Sequence, residues 1–181
     1  AAKAEAWESS LSSLSVFAFD NSGALIIRRD FALSELSSKS ATFSLPKSAA
    51  GTECSFYAIA NYDVSSVKTR AALTALVESS AAAYNGTFAE VSTAAKRSGG
   101  FVMSGSATKT VGAVNSTTNV GITLKRTVAK IALQTSIDPS FADKYSGTLT
   151  INSVKLSKAA SQSLVVAGTP TPGALSYTHT Q

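Results

Sequence analysis

Polar and apolar residues alternate along much of this 181-residue chain. Residues 11–19 (LSSLSVFAF) alternate and end with large apolar groups on both faces, which is typical of a strand buried on two sides. The following Asp-Asn-Ser-Gly at 20–23 is a turn sequence, and residues 24–28 form the predicted return strand of a hairpin. Residues 55–61 predict a further strand.

The hydrophobic period changes in the middle of the chain. Residues 66–80 place their apolar side chains at helical spacing and follow serines that can cap a helix. The sequence Thr-Phe-Ala-Glu at 87–90 has the form of a capping box, in which a hydroxyl and a carboxylate satisfy amides at a helix start. A second short helix is therefore predicted to run to about Arg97.

Residues 120–137 carry the longest strand pattern in the chain. Its first apolar side chains share one parity, and the later ones share the other; they are Val120, Ile122 and Leu124, then Ala129, Ile131 and Leu133. A change of parity without a turn moves the side chains to the opposite face of a strand. The pattern therefore predicts a bulge or bend around residues 125–128.

The order of strands, two short helices and more strands predicts a mainly β fold. We expect an antiparallel β-sandwich or a partly open Greek-key barrel, with the two short helices inserted between strands. Residues 1–10 are polar and are expected to form a flexible leader, and residues 11–160 are expected to form the sandwich domain. Residues 161–181 are rich in Gly and Pro and predict a linker or the start of a further domain.

Composition changes this picture mainly by excluding partners. Hydrophobic residues make up 44% of the chain and charged residues 15%, which is below the roughly 25% usual for soluble domains. Abundant Ala, Ser and Thr with sparse charge favour an exported protein. The net charge of +5 raises the question of nucleic-acid binding. Because the basic residues are scattered and no aromatic residues interleave with them, no nucleic-acid partner is expected.

The sequence carries few residues that could perform chemistry. Its one cysteine, Cys54, and its one histidine, His179, exclude an internal disulfide and a typical structural zinc site. No phosphate-binding, zinc-protease or serine-hydrolase motif is present. We therefore predict no catalytic, metal-binding or cofactor-binding residue, no cofactor and no enzymatic activity. No apolar run reaches the 18 residues that would predict a membrane-spanning helix.

Two alternative functions remain open at this stage. A hydrolase would need two carboxyl groups about 5 to 10 Å apart in a cleft. The candidates lie mostly at predicted turns or strand ends and are Asp20, Asp30, Glu35, Glu53 and Asp63. A surface sandwich that binds glycan or protein without polymerising would instead present aromatic side chains on one face. The candidates for that role are Trp7, Tyr62, Tyr84 and Tyr145.

Several ordered segments together resemble a known family. They are SLSVFAFDNSGAL near the start, FYAIANYD, an Ala-rich helical segment, GGFVMSG and finally LKRTVAKIAL. This order, over roughly residues 10–137, resembles the N-terminal domain of Bacteroidales fimbrillins, the subunits of type V pili. The most specific part is the MSG strand followed about twenty residues later by LKRTVAKI.

The resemblance implies a structural or adhesive function. It implies a lipoprotein precursor, exported with its signal removed and carried to the outer membrane by a lipid anchor that this chain does not contain. N-terminal trimming would open a groove, and a strand from a neighbouring subunit would fill it. The expected partners are other fimbrial subunits and surface ligands of a host or bacterium, and the expected location is the cell-surface fimbrium.

Candidate site residues follow from this implied mechanism. The groove is expected to be lined by apolar residues of the first strand and of the long strand, namely Leu14, Val16, Phe17, Ile122, Leu124 and Ile131. Arg28 and Arg29 are a candidate site for an Arg-specific protease, although two arginines at the end of a hairpin are the simpler explanation. The basic stretch at 125–130 either fixes an interface or lies on the solvent face of a strand.

Overall fold

The computed structural model describes most of the chain. The described residues are 6–36, 39–79, 99–129, 131, 135–166, 170–171 and 175–180. The predicted second helix, up to Arg97, lies outside them. None of the helices among these residues has the length and apolar character that crossing a membrane requires.

The described part of the chain is built mainly from β-strands. They are β1 (Leu14–Phe19), β2 (Leu25–Phe31), β3 (Glu53–Ala60), β4 (Val77–Ser79), β5 (Met103–Thr110), β6 (Lys125–Arg126), β7 (Ser153–Ala159), β8 (Gln162–Leu164), β9 (Pro170–Thr171) and β10 (Leu175–Thr180). Two short α-helices accompany them, α1 (Arg70–Thr74) and α2 (Phe141–Lys144). Single 3-10 turns span Ala6–Ser9, Leu33–Glu35 and Lys47–Ala49.

The strands form three antiparallel sheets. The largest has five strands in the order β2-β1-β3-β5-β6, so β1 lies between β2 and β3 in its interior. A second sheet has the order β4-β8-β9, and a third pairs β7 with β10. The β1–β2 hairpin closes where the carboxylate of Asp20 accepts a hydrogen bond from the amide of Ala24, and Gly23 supplies the positive φ of 85°.

The main core lies between the five-stranded sheet and the elements that cover one of its faces. Phe17, Phe19 and Ile59 project from this face and are fully buried. Leu73 of α1 and Val165, which follows β8, join the same cluster. The hydroxyl of Ser104 donates to the carbonyl of Val165, which ties β5 to the end of β8. The arrangement confirms the predicted mainly β, antiparallel, sandwich-like fold and shows no closed barrel among the described residues.

Two predicted elements differ from the structure. The helix expected over residues 66–80 is confined to α1, because the Thr69 hydroxyl caps it at the amide of Ala72 and β4 pairs with β8 directly afterwards. The prediction of a long strand over residues 120–137 was wrong in its extent. Of the described residues in this range, only those of β6 pair with β5, and residues 120–124 lie outside the ladder.

Residues outside both expected boundaries of the sandwich domain contact residues inside them. Within the expected leader, residues 6–9 form a 3-10 turn in which Glu8 is buried. Within the expected linker, β8 pairs with β4, and Val165 and Val166 are buried in the main core. These residues therefore belong to the folded unit. Whether a linker or a further domain follows them stays a prediction.

The main core generates a direct stability test. We expect Ile59→Ala to lower the free energy of unfolding by about 2–5 kcal/mol, because it removes a buried side chain and leaves a cavity. Urea denaturation followed by circular dichroism measures the loss. Leu33→Ala is the matched control, because Leu33 is 52% exposed and its truncation should change stability by about 0.5 kcal/mol or less. Equal losses in the two variants would contradict this description of the core.

Candidate functional site

The second face of the five-stranded sheet carries small side chains where the first carries large ones. Strand alternation and the ladder register place Val16 of β1, Ala58 of β3 and Gly105 of β5 in one row across it. The next row holds Leu14, Ala60 and Met103. Because Ala58, Ala60 and Gly105 have small side chains or none, the middle of this surface is low, and we refer to it as a low floor. We call the whole surface the small-residue face, and it lies opposite the main core.

The strand β5 has an edge that is largely unpaired among the described residues. All eight of its residues pair with β3, but only Met103 and Ser104 pair with β6. In a strand, the backbone groups of alternate residues point to opposite neighbours, so those of Ser106, Thr108 and Thr110 point away from β3. These three residues are exposed, and no backbone hydrogen bond joins them to another described residue on that side. We call residues 105–110 on this side the open edge.

Residues 120–124 lie beside the open edge and cross over the small-residue face. Val120 and Ile122 pack against a second buried cluster on this face, which contains Ala18 and Phe56. At Gly105 the segment passes so close that a Cβ there would overlap the carbonyl oxygen of Thr123 and lie 2.7 Å from Cγ2 of Ile122. Only glycine permits this approach. We call residues 120–124 the strap.

The amide of Asn61 fixes the chain just before β1. Its Oδ1 accepts hydrogen bonds from the backbone amide of Ser12, at 2.7 Å, and from the Ser12 hydroxyl, at 3.0 Å. Its Nδ2 donates to the carbonyls of Ser10, at 2.9 Å, and Phe101, at 2.8 Å. Asn61 is buried and has a positive φ of 61°, which Asn tolerates better than most residues. One side chain therefore joins the N-terminal segment, the end of β3 and the start of β5.

The basic stretch at the end of the strap holds the N-terminal turn. The guanidinium of Arg126 lies 2.8 Å from the carboxylate of Glu8, which is only 2% exposed. Beside it, the hydroxyl of Thr127 donates to the carboxylate of Glu78, at 3.2 Å, which links β6 to β4. Of the two roles left open for this stretch, the structure places Arg126 in an internal contact, while Lys125 is exposed.

The six predicted groove residues do not all lie together. Leu14 and Val16 lie on the small-residue face, Ile122 packs on that face from the strap, and Leu124 is half-buried beside it. Phe17 lies on the opposite face and is fully buried in the main core. Ile131 is 76% exposed. Sequence reasoning missed the open edge and Gly105, because a strand pattern does not reveal which side of the strand stays unpaired.

The candidate protease site lies within a paired strand. Arg28 and Arg29 belong to β2, where they stand opposite Phe17 and Val16 of β1. The guanidinium of Arg28 donates to the carbonyl of Ser65 at 2.7 Å. That of Arg29 lies 2.6 Å from the carboxylate of Glu35. Processing at this site would require β2 to leave the sheet, and it stays a prediction.

The carboxylates of the hydrolase alternative are engaged in local structure. Asp30 and Asp63 line one cleft, but Asp30 accepts from the Ser15 hydroxyl at 2.7 Å and lies 3.1 Å from the Arg28 guanidinium. Hydrogen bonds, chiefly from the backbone amide of Ser65, lower the pKa of Asp63. A general acid needs the opposite shift. Glu53 is exposed, and no metal-binding cluster exists among the described residues.

The aromatic residues of the glycan-binding alternative have separate surroundings. Trp7 packs on Phe101 with ring centroids 5.1 Å apart. The hydroxyl of Tyr62 donates to a carbonyl of β4 at 3.0 Å. Tyr145 packs against a ring of α2, and Tyr84 lies outside the described residues. The described aromatic residues therefore do not form one stacking platform.

The fold and the open edge define the class of this protein: a β-sandwich protein in which one strand edge of the main sheet is largely unpaired among the described residues. A family model described as major fimbrial subunit protein (FimA) matches residues 1–169. The chain therefore belongs to the major fimbrial subunit family, as the sequence resemblance implied. It is a structural subunit of a cell-surface fimbrium whose partners are other fimbrial subunits, and it is not an enzyme.

A solved structure shares this fold. The chain is similar to a fimbrial assembly protein from Parabacteroides distasonis, with a TM-score of 0.61 and 14% sequence identity, over 98% of this chain and 72% of that one. It is also similar to a candidate cell adhesion protein from Bacteroides eggerthii, with a TM-score of 0.43 and 21% identity, over 65% of this chain and 34% of that one. A search of curated protein sequences finds no match.

The Asn61 contacts generate a test of the N-terminal attachment. We expect Asn61→Ala to destabilise the fold by about 1–3 kcal/mol, because it leaves partly buried carbonyls and an amide without partners. Hydrogen exchange should become fastest in residues 10–13. Asn119→Ala is the control, because Asn119 is exposed. Unchanged exchange in residues 10–13 would show that Asn61 does not hold this segment.

The lowered pKa values of three surface carboxyl groups predict that the protein loses stability in acid. Hydrogen bonds lower the pKa of Asp20, Asp63 and Asp138 below the ordinary value of 3.8. For Asp20 and Asp138 the main donor is the hydroxyl of the serine two residues further along the chain. The contribution of all three is complete above pH 3.8 and is lost as the pH falls through the lowered pKa. Replacing all three by Asn should flatten the fall of the melting temperature between about pH 5 and pH 2. Parallel curves for variant and wild type would contradict this origin.

Proposed function

We propose that the subunit assembles by accepting a strand of a neighbouring subunit along the open edge of β5. The observation that carries this proposal is the uneven pairing of β5, whose eight residues all pair with β3 but only two with β6. The outward backbone groups of Ser106, Thr108 and Thr110 could bond an incoming strand. Strand addition satisfies such groups in many protein complexes.

The side chains beside the open edge support a particular kind of incoming strand. Gly105 and Ala107 alternate with Ser106 and Thr108, so the small side chains face the small-residue face. A strand with alternate apolar residues could place them above this low floor, next to Leu14 and Val16. The strap already packs two apolar residues of this kind, Val120 and Ile122, on the same face.

The path from the cell to the fimbrium is also part of the proposal. We infer a precursor that is exported, anchored to the outer membrane through a lipid and trimmed at its N-terminus before assembly. Membership of the fimbrial family supports this route. The contacts of Glu8 and Asn61 support a processing step, because they hold the segment before β1 across the end of the same sheet. Because head-to-tail strand addition does not close on itself, it yields a filament.

Adhesion to surface molecules is the second part of the proposed role. The resemblance to fimbrillins supports it, whereas the scattered positions of Trp7, Tyr62 and Tyr145 give no support to a glycan platform. A fimbrial structural role with strand-mediated assembly is therefore favoured over a non-polymerising binding domain.

A proline on the open edge tests strand addition. Thr108→Pro removes an amide that points away from β3, so the β3–β5 pairing should survive and the incoming strand should lose a hydrogen bond. We expect the trypsin-trimmed wild-type precursor to form filaments by negative-stain electron microscopy, and the variant to form at least about tenfold fewer. Circular dichroism checks that the variant is folded.

The matched control is Thr108→Val, which keeps the amide and changes only an exposed side chain. It should assemble at the wild-type level. Normal filaments from a folded Thr108→Pro variant would exclude this edge as the assembly site. No filaments from the wild type, with trimming confirmed by mass spectrometry, would argue for a non-polymerising role.

A further inference from the structure

The strap has a sequence that suits a strand but does not form one. Its residues, Val-Gly-Ile-Thr-Leu at 120–124, alternate apolar with small or polar side chains. Val120, Ile122 and Leu124 are half-buried, and the residues between them are exposed. Nevertheless, no backbone hydrogen bond joins residues 119–124 to the other described residues. A segment with strand alternation therefore lies directly beside an unpaired strand edge.

The register of β6 shows where the strap would lie if it continued the strand. Met103 pairs with Arg126 and Ser104 pairs with Lys125. In this register, Leu124 would stand opposite Gly105, and Ile122 would stand opposite Ala107. Because residues directly opposite each other share a face, both apolar side chains would remain on the small-residue face. The change from crossing to pairing would thus keep their burial and add backbone hydrogen bonds.

Gly105 decides between these two positions. In the structure, the carbonyl of Thr123 and the side chain of Ile122 occupy the space where a Cβ of residue 105 would stand. The crossing position therefore requires glycine. The paired position does not, because a strand residue normally carries a Cβ that stands clear of the neighbouring backbone. Glycine in the interior of a strand also makes the strand less stable. The need for glycine in the crossing position explains why β5 nevertheless has one at this point.

We propose that the strap is a gate for the open edge. In the crossing position it leaves the backbone groups of Ser106 and Thr108 free for an incoming strand. In the paired position it forms hydrogen bonds with these same groups and closes the edge within one subunit. This inference rests on the proposed function for its effect on assembly, whereas the two positions of the strap can be measured without assembly.

A single methyl group tests the gate. Gly105→Ala excludes the crossing position and should shift the strap to the paired one. Hydrogen exchange at the amides of Ser106 and Thr108 should slow by about tenfold or more, and filament formation by the trimmed precursor should fall by a similar factor. Gly121→Ala is the matched control: Gly121 is in the strap itself, and a Cβ there would meet nothing within 4 Å. It should behave as the wild type does.

A second substitution separates gating from misfolding. Thr123→Pro removes the amide that would bond Ser106 in the paired position, while in the crossing position no backbone hydrogen bond joins that amide to another described residue. Added to Gly105→Ala, it should return both the exchange of Ser106 and the yield of filaments towards wild-type values. A misfolded Gly105→Ala protein would not be rescued by a proline, so absence of rescue would overturn the gate.

The outcomes distinguish the gate from the proposed function. Unchanged exchange at Ser106 and Thr108 in Gly105→Ala would overturn the gate, whatever happens to assembly. Slower exchange with undiminished filaments would also overturn it and would leave strand addition at this edge without support. Slower exchange in Gly105→Ala, together with a wild type that never forms filaments, would confirm the two positions of the strap and reject their role in assembly.

Discussion

The need of strand backbone groups for hydrogen-bond partners governs this structure. The strand β3 meets that need on both sides, because β1 and β5 pair along its length. Among the described residues, β5 meets it fully on one side and only in part on the other, since β6 pairs with just two of its residues. An exposed strand edge is a site for pairing with another chain, and proteins usually cover or charge it. We propose that this fimbrial subunit uses the same feature as the contact from which a filament is built.

The position of β1 limits which part of the N-terminus processing could remove. Because β1 lies between β2 and β3, its loss would divide the five-stranded sheet and remove Phe17 and Phe19 from the main core. The segment before it, residues 6–13, is attached mainly by side-chain contacts from Asn61 and Arg126, with one backbone hydrogen bond from the Asn61 amide to the Ser13 carbonyl. If the N-terminus is processed, we therefore expect this segment, and not β1, to be released.

Several features of the fold follow from sequence pattern alone. Alternation with large apolar groups on both faces identified β1, the Asp-Asn-Ser-Gly turn placed the hairpin, and the residues around Phe56 identified β3. The same pattern placed Leu14, Val16 and Ile122 among the candidate groove residues. It could not separate them from Phe17, because assigning a face requires knowing which of two buried faces holds the main core.

The sequence determined which segments can be strands, since side-chain alternation is a local property. Tertiary structure decided which strand edges are paired, since pairing depends on the path of distant segments. The strap shows the difference: its alternation predicts a strand, but the close approach at Gly105 carries it over the sheet. Likewise, nothing local marks Glu8 as buried, because its partner Arg126 is 118 residues away. The family is therefore readable from the chain, and the site only from its fold.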